Sequence, residues 1–515
     1  MKLKRSPLVS QGSLNRIFQS VNEAWKRLDF QAAIELMERA GRLNPSNAGI
    51  FLDLGRMHGV RCDYTAAERC FEWAVRVAPN KSEALVAAGQ QSRDFSNFDM
   101  ASNYFKRALE QKDVSPATIV KLAEVCERLR RTEEASALVD RALQSNTACA
   151  PALLLRAKLD WQAGRLDAAE QLLRAFPANA EETVRVNAAY QLGGILDRQG
   201  RYDEAMTAFL EAKSLLLKNA APHIAELKTV RQRIQVMREN ITADILQRWF
   251  DNAPALMPPH RLALLGGHPR SGTTLLEQVL DSHPGIISAE ETEIFHSDAY
   301  FPLTRSLPEN SPILSVLESA STGALLQARN QYLNYTAKFL NQPVGDRLLI
   351  DKNPSLTFLI PALIRVFPEI KLLIALRDPR DVVLSCFMQS FKLGQFSSCY
   401  LTLEGTVADY SAMMDLWQTL MPMVKGHYLQ VRYEDMVDDL ESVARKTLDF
   451  LGISWDARVL GFDEHARQKL VRSPTYADVT QKIYKRAQGR WRNYQKYLEP
   501  HMDKLEPFVK AFGYE

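Results

Sequence analysis

The chain has 515 residues, a formal net charge of +3 at pH 7 and 46% hydrophobic residues. This length exceeds that of one ordinary domain, and the hydrophobic fraction is sufficient for large buried cores. The nearly balanced charge does not favour a nucleic-acid partner. No apolar run approaches the roughly eighteen residues of a transmembrane helix. Residues 1–7 are basic without an apolar stretch after them, so we expect no signal peptide and a cytoplasmic location.

Residues 14–218 contain a repeat of 34 residues. Alanine recurs at this interval, with a final step of 36 residues, and a second alanine follows seven residues later in five of the six units. The recurring positions are Ala33, Ala67, Ala101, Ala135, Ala169 and Ala205. Alanines seven residues apart lie on one helical face, where small side chains let a neighbouring helix approach closely. Proline follows the second helix of the first two units, as expected just past a helix end.

This period and its small–small–proline pattern resemble the tetratricopeptide repeat (TPR) family. The resemblance implies six helix–turn–helix units stacked into an α-solenoid with a concave groove. Because arrays of this family bind proteins or peptides, we expect a protein partner or a peptide substrate in the groove. A spacer or dimerisation surface is the alternative. Residues 219–258 keep a helical period and then meet three prolines, which predicts capping helices and a linker.

Residues 259–515 show a different pattern, in which short apolar runs alternate with helical segments. This alternation predicts an α/β domain with a central parallel sheet and helices on both faces. The predicted strands are 262–265, 286–288, 348–351, Lys371–Leu376 and Tyr428–Arg432. Ligands of open parallel sheets bind beyond the carboxyl ends of the strands. Charged segments follow four of these strands, so we expect them to meet in one crevice.

The first predicted strand leads into Gly267 and Gly272, which have the G-x-x-x-x-G spacing of a phosphate-binding P-loop. A helix with Thr273 and Thr274 in its first turn follows, so backbone N–H groups and the helix dipole favour an anion. Thr273 stands where a nucleotide triphosphatase has lysine, and Arg270 is the only cation of the loop. The loop is therefore predicted to hold a phosphate-like group, and a P-loop kinase is not favoured.

Further motifs follow this loop in order. They are Glu290-Glu291-Thr292, Asp351-Lys352-Asn353-Pro354, Arg377 with Ser385 eight residues later, Tyr433-Glu434, Arg472-Ser473 and Gly489-Arg490-Trp491. Together with Pro269-Arg270-Ser271-Gly272-Thr273-Thr274-Leu275, they make residues 261–500 resemble the sulfotransferase family, and within it the protein-tyrosine sulfotransferases. The resemblance implies 3′-phosphoadenylyl sulfate (PAPS) as the sulfuryl donor. No metal is expected, because the six cysteines and nine histidines lack metal-ligand spacing.

The resemblance also assigns roles to individual residues. Glu291 is the expected general base, which takes the proton of the acceptor hydroxyl. Lys352 and Ser473 are expected to stabilise charge on the leaving oxygen, in the way that positioned donors stabilise transition states. Arg377 and Ser385 are expected to hold the 3′-phosphate.

Other residues are expected to bind the rest of the donor. They are Arg270, Ser271, Gly272, Thr273, Thr274, Tyr433 and Arg490. Among them Arg270 can fork onto the phosphosulfate oxygens. Lys485, Arg486 and Arg492 compete with Arg490 for a place at the nucleotide. His268 is interpreted as a turn residue rather than a base.

The leading interpretation is a PAPS-dependent sulfotransferase whose repeats recruit the acceptor. A protein or peptide tyrosine is one candidate acceptor, and saccharides and small metabolites are others, because the chain departs from the tyrosine branch by carrying repeats and no membrane anchor. The alternative is a repeat scaffold whose second domain binds nucleotide without turnover. Intact Arg270, Glu291, Lys352 and Ser473 favour the enzyme.

Overall fold

A computed structural model describes residues 11–111, 114–305, 307–308, 311–469 and 479–514. The chain divides into two compact units, one ending at Ala180 and the other beginning at Glu181. Over its described residues the first unit contains only helices, whereas the second combines helices with a five-stranded sheet. The predicted fold class, an α-solenoid followed by an α/β domain with a central parallel sheet, is confirmed. No helix in the described ranges is long and apolar enough to cross a bilayer.

The first unit is built from helices that pack in consecutive pairs, as the repeat predicts. These helices are α1 (Gln11–Lys26), α2 (Phe30–Leu43), α3 (Ala48–Val60), α4 (Tyr64–Val77), α5 (Lys81–Asp94), α6 (Phe98–Leu109), α7 (Pro116–Arg128), α8 (Thr132–Ser145), α9 (Ala150–Gln162) and α10 (Leu166–Arg174). The recurring alanines of the repeat are all completely buried. Their lack of bulk allows the paired helices to pack closely.

The second helix of each early repeat begins at the same repeat position because a polar side chain caps it. Asp29, Asp63 and Asn97 accept a hydrogen bond from the backbone N–H three residues later, at 3.3, 3.0 and 3.1 Å. Such a cap stabilises a helix by about 1 kcal/mol. The preceding helix approaches closely through a small residue. A Cβ added at Gly55 would lie 2.3 Å from the ring of Phe71.

The second unit begins with the sixth helix pair of the repeat and continues into the sheet. Its helices are α11 (Glu182–Arg198), α12 (Tyr202–Leu217), α13 (Ala221–Asn240), α14 (Ala243–Asp251), α15 (Thr273–Asp281), α16 (Phe301–Thr304), α17 (Ile313–Ser319), α18 (Thr322–Leu340), α19 (Ile360–Val366), α20 (Pro379–Met388), α21 (Leu403–Leu420), α22 (Tyr433–Asp438), α23 (Leu440–Leu451), α24 (Phe462–Gln468), α25 (Gln495–Leu498) and α26 (Met502–Ala511). Domain limits at 218 and 258 stay a prediction.

The sheet consists of five parallel strands in the order β2-β3-β1-β4-β5. They are β1 (Leu262–Gly267), β2 (Ile286–Glu290), β3 (Leu348–Lys352), β4 (Lys371–Leu376) and β5 (Tyr428–Arg432). Each predicted strand is present, and the first three extend one or two residues further than predicted. These extensions place Gly267, Glu290 and Lys352 at strand ends. Because carboxyl ends of parallel strands share one edge, the segments that follow them start from the same side of the sheet.

Helices cover both faces of the sheet, and alternate strand residues belong to two separate cores. Leu262 and Leu264 pack in a core shared with α18 to α21, whereas Ala263 and Leu265 pack in a core shared with α15, α22 and α23. Nearly continuous apolar strands are typical of a sheet that is buried on both sides. Apolar residues of α11, α12 and α13 join the first core. The sixth helix pair is therefore part of the hydrophobic core that supports the sheet.

Candidate functional site

The loop between β1 and α15 has the backbone shape of an anion-binding turn. Gly267, Arg270 and Gly272 have φ values of 114°, 72° and 93°, in the left-handed region. A Cβ at Gly272 would lie 2.7 Å from the ring of Tyr433, and one at Gly267 would lie 2.3 Å from the carbonyl oxygen of Ala375. Close contacts therefore require glycine at both positions. The N-terminus of α15, which carries the positive end of the helix dipole, lies at the end of this loop.

Four of the residues predicted to bind the nucleotide form one connected group. Nε of Arg270 donates to Oγ of Ser385 at 3.0 Å, and Nη1 of Arg377 donates to the carbonyl oxygen of Arg270 at 3.2 Å. The guanidinium carbon of Arg377 lies 5.1 Å from the centre of the Tyr433 ring. Arg377 is 7% exposed, and within the described part of the chain its Nε finds no hydrogen-bond acceptor. An anionic ligand would satisfy such a buried donor.

Lys352, at the end of β3, is fully buried among three carboxylates. Its Nζ lies 2.6 Å from Oε1 of Glu291, 3.4 Å from Oε2 of Glu277 and 3.5 Å from Oε1 of Glu290. Burial acts to lower the pKa of Lys352, but the three carboxylates raise it above its usual value. The ammonium is therefore charged at neutral pH, and the carboxylates rather than water hold it in place.

Glu291 combines a strained backbone with an accessible carboxylate. Its φ is 48°, which is unusual for a residue other than glycine, and its N–H donates to the carbonyl oxygen of Lys352 at 2.8 Å. Its side chain is 42% exposed. Backbone strain of this kind costs on the order of 1 to 3 kcal/mol and is concentrated at functional sites. At this strained position the accessible carboxylate of Glu291 contacts the buried ammonium of Lys352.

Sequence reasoning misses Glu277, which lies on α15. Its side chain is fully buried and Oε1 accepts a hydrogen bond from the hydroxyl of Ser288. Burial raises the pKa of Glu277 to about 7, against the lowering effect of Lys352 and with a further rise from the charge of Glu290. The one sequence signal is position, because Glu277 lies three residues before Leu280 and so shares its apolar helical face.

Replacing Glu277 with glutamine is expected to flatten the pH dependence of stability between about pH 4.5 and 7. The native carboxyl has a raised pKa, so it binds a proton more tightly than the unfolded chain does. Its stabilising contribution is therefore present below the unfolded pKa and lost as pH rises through the folded value. Glutamine does not ionise, so the variant should not show the decrease of roughly 1 to 3 kcal/mol in unfolding free energy that ionisation of Glu277 causes as pH rises. Urea unfolding at pH 5 and pH 8 measures the difference.

The control for this variant is Glu464→Gln, which removes the same charge from an exposed side chain of α24. The control should keep the wild-type dependence of unfolding free energy on pH. Identical slopes for wild type and Glu277→Gln would contradict the assignment of a raised pKa to Glu277.

His268 is the first residue of the loop, and its buried side chain supports the turn. Its Nε2 is 3.4 Å from Oδ2 of Asp409, and its Nδ1 is 2.9 Å from the carbonyl oxygen of Pro269. Asp409 also accepts from Arg231 of α13 at 2.8 Å. Burial acts to lower the pKa of His268, but Cys386 and Asp409 raise it to about 10. Because His268 is fully buried and ion-paired, it is a supporting residue of the turn rather than a base for an acceptor.

A segment near the C-terminus borders the guanidinium of Arg377. Nη2 of Arg377 donates to the carbonyl oxygen of Ala487. The carboxylate of Asp381, on α20, accepts from the N–H groups of Gly489 and Trp491 at 2.7 and 2.8 Å. Asp381 is also 3.9 Å from Arg377. The predicted 3′-phosphate residues and this segment therefore form one neighbourhood.

Arg490 forms an ion pair with an acidic side chain of the sixth helix pair. Its Nη2 lies 2.8 Å from Oδ2 of Asp197 on α11, and its Nε donates to Oδ1 of Asp197 at 3.1 Å. A role for Arg490 as a nucleotide ligand stays a prediction. Ser473 lies outside the described residues. The remaining predicted loop residues, Ser271, Thr273 and Thr274, are buried at the start of α15.

Two parts of the chain match known protein families. Residues 263–457 match the "Sulfotransferase family" and residues 154–220 match a "Tetratricopeptide repeat" family. An "Uncharacterized protein" of Aquifex aeolicus (strain VF5) is 25% identical over 350 residues, which cover 66% of this chain and 44% of the relative. Protein-tyrosine sulfotransferase 2 of Gallus gallus is 29% identical over 208 residues, which cover 39% and 54%. The chain thus spans about half the length of these curated relatives.

One solved structure among the similar ones is the sulfotransferase domain from the Synechococcus PCC 7002 olefin synthase. It is 23% identical, with a TM-score of 0.36, and the match covers 49% of this chain and 95% of that chain. Within the described ranges, no group of three or more His, Cys, Asp or Glu side chains is arranged to hold a metal ion.

Proposed function

We propose that this chain transfers a sulfuryl group from PAPS to an acceptor hydroxyl. Its residues 263–457 match the sulfotransferase family, and its residues 154–220 match the tetratricopeptide repeats. One observation carries the proposal. The fully buried Nζ of Lys352 contacts the accessible carboxylate of Glu291, at the same sheet edge as the anion-binding loop.

The residues around the loop fit the anionic groups of the donor. Arg270, the N–H groups that begin α15 and the hydroxyls of Thr273 and Thr274 would hold the phosphosulfate. Arg377 and Ser385 would hold the 3′-phosphate. Support comes from the buried, unpartnered Nε of Arg377, which lacks an acceptor within the described residues. Gly267 and Gly272, where a Cβ would collide with neighbouring atoms, would also let the loop backbone approach the donor closely.

PAPS supplies the sulfuryl group and leaves as the nucleotide bisphosphate. Glu291 takes the proton of the acceptor hydroxyl as the oxygen attacks, which is the task of a general base. Lys352 stabilises the negative charge that develops on the leaving oxygen. Because it is already desolvated and held by carboxylates, little reorganisation is needed at the moment of transfer. Ser473 is proposed as a second donor to the leaving oxygen.

Tyrosyl peptides and proteins are the acceptor class that we propose first. Relatives named protein-tyrosine sulfotransferases are 27% to 29% identical over 39% of the chain. The repeats add support, because arrays of this kind present extended surfaces to protein or peptide ligands. In this proposal the repeat array recruits the acceptor or a partner protein that carries it.

Replacing Arg377 with alanine is expected to weaken binding of the product nucleotide, 3′-phosphoadenosine 5′-phosphate, by about a hundredfold. Each charge-assisted hydrogen bond contributes about 1.5 to 3 kcal/mol, and the guanidinium can make two to a phosphate. Calorimetry on the full chain measures the change. Arg445→Ala, at a half-exposed arginine of α23, is the control and should bind like wild type. Tighter binding of ATP than of the bisphosphate would contradict the proposed donor.

Turnover is tested with sulfur-labelled PAPS against tyrosyl peptides, saccharides and phenols. We expect label to appear in at least one acceptor class, with tyrosyl peptides foremost. Nucleotide binding without transfer to any class would instead support a repeat scaffold with a non-catalytic second domain.

A further inference from the structure

We propose that the sixth helix pair of the repeat, α11 with α12, forms part of the nucleotide site. In this proposal Asp197 of α11 is a positioning residue that acts through Arg490 and holds the segment 485–491 beside Arg377. The inference rests on the proposed function, because it names a residue that shapes the site for the donor nucleotide.

Three donor groups converge on the carboxylate of Asp197. Two nitrogens of Arg490 reach its two oxygens at 2.8 and 3.1 Å, and the hydroxyl of Tyr494 donates to Oδ1 at 2.8 Å. The side chain of Asp197 is 14% exposed and that of Arg490 is 28% exposed. A two-point ion pair of this kind fixes the direction of a guanidinium as well as its distance. A helix of the repeat therefore sets the orientation of Arg490.

The backbone on either side of Arg490 is held by a second carboxylate, that of Asp381. The N–H groups before and after it donate to Asp381, whose carboxylate is 3.9 Å from the guanidinium of Arg377. Asp197 and Asp381 thus hold the same short turn from two elements that are far apart in the sequence. Residue 487 of the same segment accepts a hydrogen bond from Arg377 directly. Release of the Asp197 contact would free one side of the turn that borders the predicted 3′-phosphate residues.

This arrangement gives Arg490 a task other than direct contact with the donor. Nε and Nη2 already engage Asp197, so a direct contact through this edge of the guanidinium would require the pair to break. Aromatic packing reinforces the attachment, because the rings of Tyr202 on α12 and Tyr494 lie 5.4 Å apart in an edge-to-face arrangement. The helix pair and the segment are held together by charge, hydrogen bonds and ring packing.

Replacing Asp197 with asparagine in the full chain tests the inference. We expect the dissociation constant of 3′-phosphoadenosine 5′-phosphate and the KM for PAPS to rise about tenfold, as for loss of one hydrogen bond to a charged group. The kcat at saturating PAPS should stay at the wild-type value. Amide hydrogen exchange should accelerate over residues 485–494, and saturating nucleotide should restore the protection.

Asp203→Asn is the matched control, because Asp203 of α12 holds the same C-terminal region at different residues. It lies 2.7 Å from Nζ of Lys496 and accepts from the hydroxyl of Tyr497 at 3.0 Å. Equal effects of the two substitutions, or unchanged nucleotide affinity in Asp197→Asn, would overturn the inference. If Asp197→Asn yields no folded protein, Tyr494→Phe removes one of the three donors, and unchanged exchange over the segment would overturn it.

Arg377→Ala separates this inference from the proposed function. Weak nucleotide binding in Arg377→Ala together with normal binding in Asp197→Asn would support the proposed donor site. The same result would reject the positioning role of Asp197. Normal binding in both variants would reject the donor site, and the inference with it.

Discussion

Replacing Lys352 with methionine is expected to lower turnover by about a hundredfold to a thousandfold, the usual effect of removing one group that stabilises transition-state charge. The ammonium is completely buried and contacts three carboxylates, so no solvent cation can take its place. Rates measured with labelled PAPS and the best acceptor give the effect. Lys446→Met, at an exposed lysine of α23, should retain wild-type turnover.

The same substitution is expected to destabilise the fold, increasingly so as pH rises. Breaking a buried ion pair by removing one partner costs about 3 to 5 kcal/mol. The raised pKa of Lys352 means that its stabilising contribution is present at all pH values below its unfolded pKa, and methionine abolishes it. Without the cation, Glu277 and Glu290 repel each other once both are ionised. The penalty in unfolding free energy should therefore be larger at pH 8 than at pH 5.

A double variant distinguishes the electrostatic explanation from a packing defect. Lys352→Met combined with Glu277→Gln removes one of the uncompensated charges, so stability at pH 8 should recover in part. Turnover should not recover, because the group that stabilises the leaving oxygen is still missing. A double variant as unstable as Lys352→Met alone would show that lost packing, and not charge repulsion, causes the destabilisation.

The strands and helix pairs could be predicted from the sequence because each depends on a local pattern of residues. All five strands were predicted because buried parallel strands are short, continuous apolar runs. The helix pairs followed from a fixed alanine interval. The strand order β2-β3-β1-β4-β5 was not predicted, since it depends on long-range packing that no single segment encodes. The polar segments at the strand ends were placed on one edge by the general geometry of parallel sheets.

The supporting residues of the site were harder to find for the same reason. Glu277 contacts Lys352 across 75 positions of sequence, and Asp197 contacts Arg490 across 293. Asp197 looks locally like a solvated residue of a helix, and only its place on an apolar helical face marks Glu277. The left-handed backbone of Glu291 is equally invisible, because a glutamate gives no sign of a positive φ. Motif spacing identified residues proposed to meet the substrate, while their partners emerged only from tertiary contacts.

Replacing Glu291 with glutamine is expected to lower kcat by about a hundredfold to ten-thousandfold while leaving nucleotide affinity unchanged. The amide cannot accept the proton of the acceptor hydroxyl, so the contribution of the general base is lost. Its carbonyl oxygen can still accept the hydrogen bond from Nζ of Lys352, which preserves the local arrangement. The residues proposed to bind the nucleotide lie on other segments. Calorimetry with the product nucleotide and rates with labelled PAPS measure the two quantities separately.

Glu290→Gln is the discriminating control, because Glu290 neighbours the same lysine but is only 4% exposed and is shielded from an acceptor. It removes the same charge from the surroundings of Lys352 without removing the proposed base. A much larger loss of kcat in Glu291→Gln than in Glu290→Gln is the result expected for a base. Equal losses would mean that Glu291 acts through the charge of Lys352, and loss of nucleotide binding in Glu291→Gln would mean that its role is structural.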